Sequence, residues 1–263
     1  MDPDSESLIE FGTRTHPYKN LGFVFVELLN YHSHTNRNIS IYVKENTQNY
    51  LHIYNNDIVN ITYVEIVTYS DNDTAVPEKA NITALEHDSL VDSPGTSLNI
   101  LKNYDLRIAE AIDNNSDITD SEKTYIEQSK YLILIVRSNF LIDGFVMYSE
   151  FNSLFELNLF FVAVYLQSRL YTAKNLDFRS GGAVFETIFP LNMHLENIDI
   201  DYTMSLGGFQ AYEECNYPEA ELNTLYYVKN LTAYYGSERL VIPTRQAVLE
   251  TRGAPDMIVE DFY

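Results

Sequence analysis

The sequence has no tryptophan, a single cysteine, and only 17 Lys plus Arg against 38 Asp plus Glu. One cysteine, Cys215, excludes an internal disulfide framework and leaves either a pairing between chains or an idle, buried thiol. The shortage of bases leaves a formal net charge of -21. Such a surface repels nucleic acid and anionic membranes, so neither is expected as a partner. No stretch reaches the roughly 18 consecutive apolar residues of a membrane-spanning helix. The opening residues, MDPDSESLIEFGTR, are acidic and lack an apolar core, which predicts no signal peptide. These absences point to a protein kept inside the cell that makes it. The six Asn-x-Ser/Thr sequons, beginning at Asn38, Asn60, Asn72, Asn81, Asn114 and Asn230, then read as chance.

What is present is apolar and aromatic. Hydrophobic residues make up 45% of the 263, enough for a substantial core, and the aromatics are 21 Tyr and 14 Phe. Asn is abundant too, at 24, which fits an AT-rich coding sequence. No internal repeat and no long linker stand out, so the chain reads as a single domain over residues 1–263. Within it lie an N-terminal arm (1–20), an acidic loop and helix insertion (70–128) and a C-terminal tail (244–263).

The densest apolar run, Tyr131 to Leu166, has Asp143-Gly144 between two apolar pairs. Asp-Gly in that setting predicts a two-residue hairpin turn, because a type I′ turn needs positive φ at both central positions. Asn38 to Lys44, Tyr50 to Tyr54, Ile58 to Tyr69 and Leu21 to Leu29 read as strands, rich in β-branched and aromatic residues. Leu195 to Leu206 alternates Ile198, Ile200, Tyr202 and Met204 with Asn197, Asp199, Asp201 and Thr203, a half-exposed strand. Leu154 to Tyr171 fits a long strand or a buried helix. Helices are expected over 97–113, over 119–128 behind a Thr119…Glu122 capping box, and over Pro218 to Tyr235. Asp2 with Pro3 suggests a short capped helix in the arm. The expected fold is mainly β with helical extensions (α+β): an antiparallel β-sandwich core carrying N- and C-terminal arms.

No motif names a reaction. Asp113, Asn115 and Asp117 open like a calcium loop, but Ile118 and Thr124 stand where Gly and Glu are needed. His32 and His34 lack a third ligand. Asp92 to Ser97 opens a helix without the Lys of a P-loop. Glu213-Glu214 and Asp199-x-Asp201 are carboxylate pairs that nothing distinguishes from solvated surface. The 14 acids against 4 bases between Glu65 and Glu127 also read as a solvated face. Neither a cofactor nor a metal is expected, and the chain is not expected to be an enzyme.

The remaining signals concern association. Leu8, Ile9 and Phe11 in the first arm, and Met257, Ile258, Phe262 and Tyr263 in the last, are apolar residues beside acids, suited to reaching another subunit. Tyr226, Tyr227, Tyr234 and Tyr235 offer large contact bodies with a hydroxyl each. Phenols ionise near pH 10, so strong alkali would add charge to contacts between copies that already repel.

The size, the tyrosine content, the N-terminal arm and four segments resemble the polyhedrins of insect viruses, the cypovirus type more than the baculovirus type. The segments are NISIYVK (38–44), YLHIY (50–54), GFVMYSEF (144–151) and SGGAVFETIF (180–189), under a quarter of the chain. The resemblance implies a β-sandwich core with helical extensions, trimer-like building blocks and lattice contacts through the arms. It also implies a structural matrix protein that assembles into an intracellular crystalline lattice, protects virions and dissolves in alkali. Its partners would be copies of itself and virions, in inclusions of the cytoplasm or nucleus of an infected cell. Two alternatives remain open: a capsid or carbohydrate-binding β-sandwich, and an enzyme built on a carboxylate pair.

Overall fold

The structure is a computed structural model that describes residues 1–6, 8, 12–25, 37–52, 56–59, 61–72, 76–85, 130–136, 138–149, 159–165, 170–179, 183–187, 192–201, 225–234 and 256–263. Its strands are β1 (Asn38–Lys44), β2 (Gln48–His52), β3 (Asp57–Val59), β4 (Tyr63–Tyr69), β5 (Ala80–Leu85), β6 (Lys130–Val136) and β7 (Asn139–Asp143). They continue as β8 (Phe145–Ser149), β9 (Leu159–Tyr165), β10 (Leu170–Arg179), β11 (Ala183–Thr187), β12 (Asn192–Asp201), β13 (Leu225–Tyr234) and β14 (Asp256–Phe262).

Each registered strand pair among the described residues is parallel. The order of pairing defines the architecture. After β1, β2 and β3, the chain lays β4 beside β1, β5 beside β2 and β6 beside β3. It then lays β7, β8 and β9 on those three. β10 covers β7 with its first half and β8 with its second, and β11 covers β9. A chain that visits each sheet in turn and lands beside its previous pass is a parallel β-solenoid. β12 and β13 run in register with both halves of β10 and so extend the first two sheets, which β10 joins into one of ten strands; with β14 the first has the order β1-β4-β7-β10-β12-β13-β14. Seven strands at about 4.8 Å spacing give a stack roughly 29 Å long.

This overturns the antiparallel β-sandwich with helical extensions. Alternation and turn spacing identify strands but carry no information on the direction of the partner strand. At Asp143-Gly144, only Gly144 has positive φ (87°), so the chain bends without reversing and β8 runs on in the next sheet. A Cβ on Gly144 would lie 2.1 Å from Thr68 Oγ1, so this corner admits no side chain there without a shift. The helix expected over Pro218 to Tyr235 is strand from Leu225 on. The strand expected over Leu21 to Leu29 is helical at residues 21–25, and Ile58 to Tyr69 is broken into β3 and β4. Within Leu154 to Tyr171 the described residues are β9 and the start of β10, both strand. In the arm, Asp2 and Pro3 form a turn rather than a helix, with Asp4 N donating to Asp2 Oδ1 at 3.1 Å. The helices expected over 97–113 and 119–128 lie outside the described residues.

The core follows from register. Ile41, Ile66, Ile142, Ala173, Leu195 and Val228 form one inward column of the first sheet, and Val64, Phe140, Tyr171, Met193 and Tyr226 form the next. Phe140 and Tyr171 stack, with rings 2° from parallel. Each Val, Leu, Ile, Phe or Met of these columns taken from water contributes about 1.5–3 kcal/mol before entropy is counted.

A second column sits at the bend between the first two sheets. Asn175, Asn197, Asn230 and Asp261 stack in register there and all have φ between 51° and 56°. Asn and Asp tolerate this left-handed conformation better than other side-chain-bearing residues. The amides also bond along the stack: Asn230 Nδ2 donates to Asn197 Oδ1 (2.7 Å), Asn197 Nδ2 to Asn175 Oδ1 (2.8 Å) and Asn175 Nδ2 to Asp143 Oδ1 (2.7 Å).

Candidate functional site

The two ends of the coil stack differ, and that difference is the feature with the clearest functional content. At the first end the chain covers itself. Asn20 Oδ1 accepts from Phe23 N at 3.1 Å, the N-cap of the helical turn at residues 21–25. Its Leu21, Val24 and Phe25, at helical spacing, are buried. Met1 pairs with the outer edge of β1: Lys44 N donates to Met1 O at 2.9 Å and the terminal amine donates to Tyr42 O. Burial lowers the pKa of that amine from its usual value. Lys44 Nζ then meets Asp2 (3.0 Å) and Asp71 (3.2 Å), and Arg14 meets Asp71 at 3.6 Å. These hydrogen bonds, to Asp2 first, raise the Lys44 pKa and hold the ammonium charged. Beneath the arm a cavity of about 460 Å³ is lined by apolar groups and tyrosines, including Tyr18, Ile39, Ile41, Tyr42 and Tyr69.

Among the described residues, the other end is open. Met257 and Val259 of β14 continue the two inward columns, directly below Tyr226 and Val228. Every earlier member from Ile66 and Val64 to those residues is at most 2% exposed, whereas Met257 is 45% and Val259 43% exposed. Among the described residues, β14 has β13 as its only strand partner, so its other edge presents unpaired backbone groups.

On the outward face of the first sheet, register aligns Asp143, Lys174, Glu196, Lys229 and Glu260 in one row of alternating sign. Lys174 Nζ lies 3.3 Å from Glu196 Oε2. Beside it, Tyr227 donates its hydroxyl to Glu260 Oε2 at 2.9 Å and meets His194 edge to face, with ring centroids 4.9 Å apart. The Glu260 carboxylate raises the Tyr227 pKa, chiefly through that hydrogen bond. Cross-strand pairs of opposite charge stabilise a register and penalise its slips.

The sequence-derived candidates are placed as follows. Met257 and Ile258 are on the open strand; Tyr263, just past it, and Leu8 in the arm are exposed. Phe262 is in β14 opposite Leu231. Tyr227 faces outward, but Tyr226 points into the coil and is buried. Tyr234 ends β13. Ile9, Phe11 and Tyr235 lie outside the described residues, as do Glu213, Glu214, Cys215, His32, His34, Asp92 to Ser97 and Asp113 to Asp117. Asp199 stands in register with Asp177, whose carboxylate takes Lys79 and Arg179 as ion-pair partners. Among the described residues, no group of three His, Cys, Asp or Glu is placed to hold a metal, and no helix is long and apolar enough to cross a membrane.

The charged row and the Asn column are the residues that sequence reasoning missed. Their signal is a tripeptide, charged–Asn/Gly/Asp–apolar: Asp143-Gly-Phe, Lys174-Asn-Leu, Glu196-Asn-Ile, Lys229-Asn-Leu and Glu260-Asp-Phe. Its spacing varies from 22 to 33 residues, which hides it from a search at fixed period. Compared with known proteins, the chain matches no family model, no curated protein and no solved structure.

Proposed function

We propose that this chain is a structural protein that works by associating with copies of itself. The observation that carries the reading is the open coil end, where Met257 and Val259 continue buried columns yet remain half exposed on a strand whose outer edge has no strand partner among the described residues. An apolar end beside unpaired backbone is a template for another chain. The tyrosine-rich, acidic composition supports the finer form of this reading, an intracellular matrix around virions that dissolves in alkali. The sandwich core implied by the polyhedrin resemblance is not the fold of this chain, so composition and the open end support that form. Cells expressing the full chain are expected to accumulate dense assemblies that dissolve above about pH 10. Protein that stays dispersed as monomer at high concentration overturns the reading.

A further inference from the structure

We infer that the open end joins the same end of a second copy, β14 against β14, across a two-fold axis. This rests on the self-association reading and names its geometry. Two arrangements would extend the first sheet by one more strand. A head-to-tail stack would set β14 on β1 of the next copy and repeat without limit. The outer edge of β1 is already taken by Met1, which pairs with Tyr42 and Lys44, and the helical turn at residues 21–25 buries its apolar face at the same end. That leaves the open end to meet another open end.

Related by a two-fold axis normal to the sheet, the two β14 strands run antiparallel and keep their inward faces on one side. Centring the axis on Ile258 sets Met257 opposite the partner's Val259, and Val259 opposite the partner's Met257. Both half-exposed apolar residues are then covered by apolar residues. Centring it one residue later sets Met257 opposite the partner's Asp261, an acid against an apolar side chain, which disfavours that register. In the first register Ile258 lies opposite its own copy, and Asp256 faces the partner's Glu260 on the outward side. This contact closes at two chains, so a larger matrix needs a further contact elsewhere on the chain.

Directly opposed residues of an antiparallel pair have Cα atoms about 4.5–5.5 Å apart, within the roughly 4.4–6.8 Å range of a disulfide. The test is therefore Ile258→Cys in a Cys215→Ser background, oxidised mildly and read by non-reducing electrophoresis. The expected result is a reducible dimer and nothing larger, lost when Val259→Arg is added, with the circular dichroism of the parent chain retained. Adding Ser40→Cys to the first variant tests the alternative, because head-to-tail register sets position 258 opposite position 40. A ladder of linked species there, or particles larger than the monomer without any link at position 258, overturns the two-fold arrangement and leaves self-association standing. Monomer at every concentration overturns both.

Discussion

Asn197 donates its side-chain amide to Asn175 at 2.8 Å and accepts that of Asn230 at 2.7 Å, and all three hold φ above 50°. One residue type therefore does two things at each bend: it tolerates the left-handed backbone and ties one coil to the next. Asn197→Ala removes both, and is expected to cost about 1–3 kcal/mol from two modest hydrogen bonds and the left-handed penalty. Asn197→Gly keeps the backbone freedom and loses only the bonds, so its urea midpoint should fall between those of Ala and the parent.

Gly144 makes the same bend where no side chain fits. Gly144→Ala places a methyl against Thr68 at a φ of 87° and is expected to lower the melting temperature by several degrees. Pairing it with Thr68→Gly relieves the contact but not the backbone strain, so calorimetry on the double variant should show partial recovery.

Alkali acts on the fold as well as on contacts between copies. Burial raises the pKa of Tyr171, Tyr226, Tyr63 and Tyr69 above the usual phenol value. These phenols keep their protons in the folded chain while the unfolded chain releases them near pH 10. Their contribution to stability is thus complete below about pH 10 and lost as pH rises through the folded values. Denaturant midpoints should be flat between pH 8 and 9.5 on this account and fall beyond about pH 10. Tyr226 offers a single-site check, because its hydroxyl is buried without a hydrogen-bond partner among the described residues. Tyr226→Phe should leave stability at pH 7 equal or higher by up to about 1 kcal/mol, and should shrink the alkaline loss. A larger alkaline loss in this variant contradicts the assignment.

The arm at the closed end is held by Lys44. Lys44→Met removes a cation shared by Asp2 and Asp71 and leaves those acids without it. Both acids are partly solvated, so the expected loss is about 1 kcal/mol or less, but the arm should loosen. Proteolysis near residues 12–16 is the readout, and it should speed up in Lys44→Met and in high salt.

Strands were legible in the sequence and their partners were not. Asn38–Lys44 appears with the bounds that its β-branched and aromatic residues suggest, and Ile198 and Ile200 are buried as their alternation requires. Parallel pairing at separations of 22 to 77 residues leaves no trace in the alternation, because a strand of a solenoid alternates as a strand of a sandwich does. Asp143-Gly144 shows the ambiguity most clearly. A type I′ reversal needs positive φ at both residues and only Gly144 has it, so a dipeptide that marks a hairpin in one fold makes a coil corner in this one. Tyr226 and Tyr227 are neighbours with opposite fates, and only register decides which enters the core. Met257 and Ile258 read as association candidates because they are apolar residues beside acids in the tail; that they stand on an edge strand follows only from register.

Sedimentation equilibrium of the full chain against concentration, beside Val259→Arg, tests self-association through the open end most directly. The account predicts a mass rising with concentration from 30.3 kDa to at least twice that value. It also predicts tighter association in higher salt, as Asp256 and Glu260 are screened across the axis, and a variant that stays at 30.3 kDa. A parent chain that remains at 30.3 kDa throughout, or a Val259→Arg chain that associates as the parent does, contradicts it.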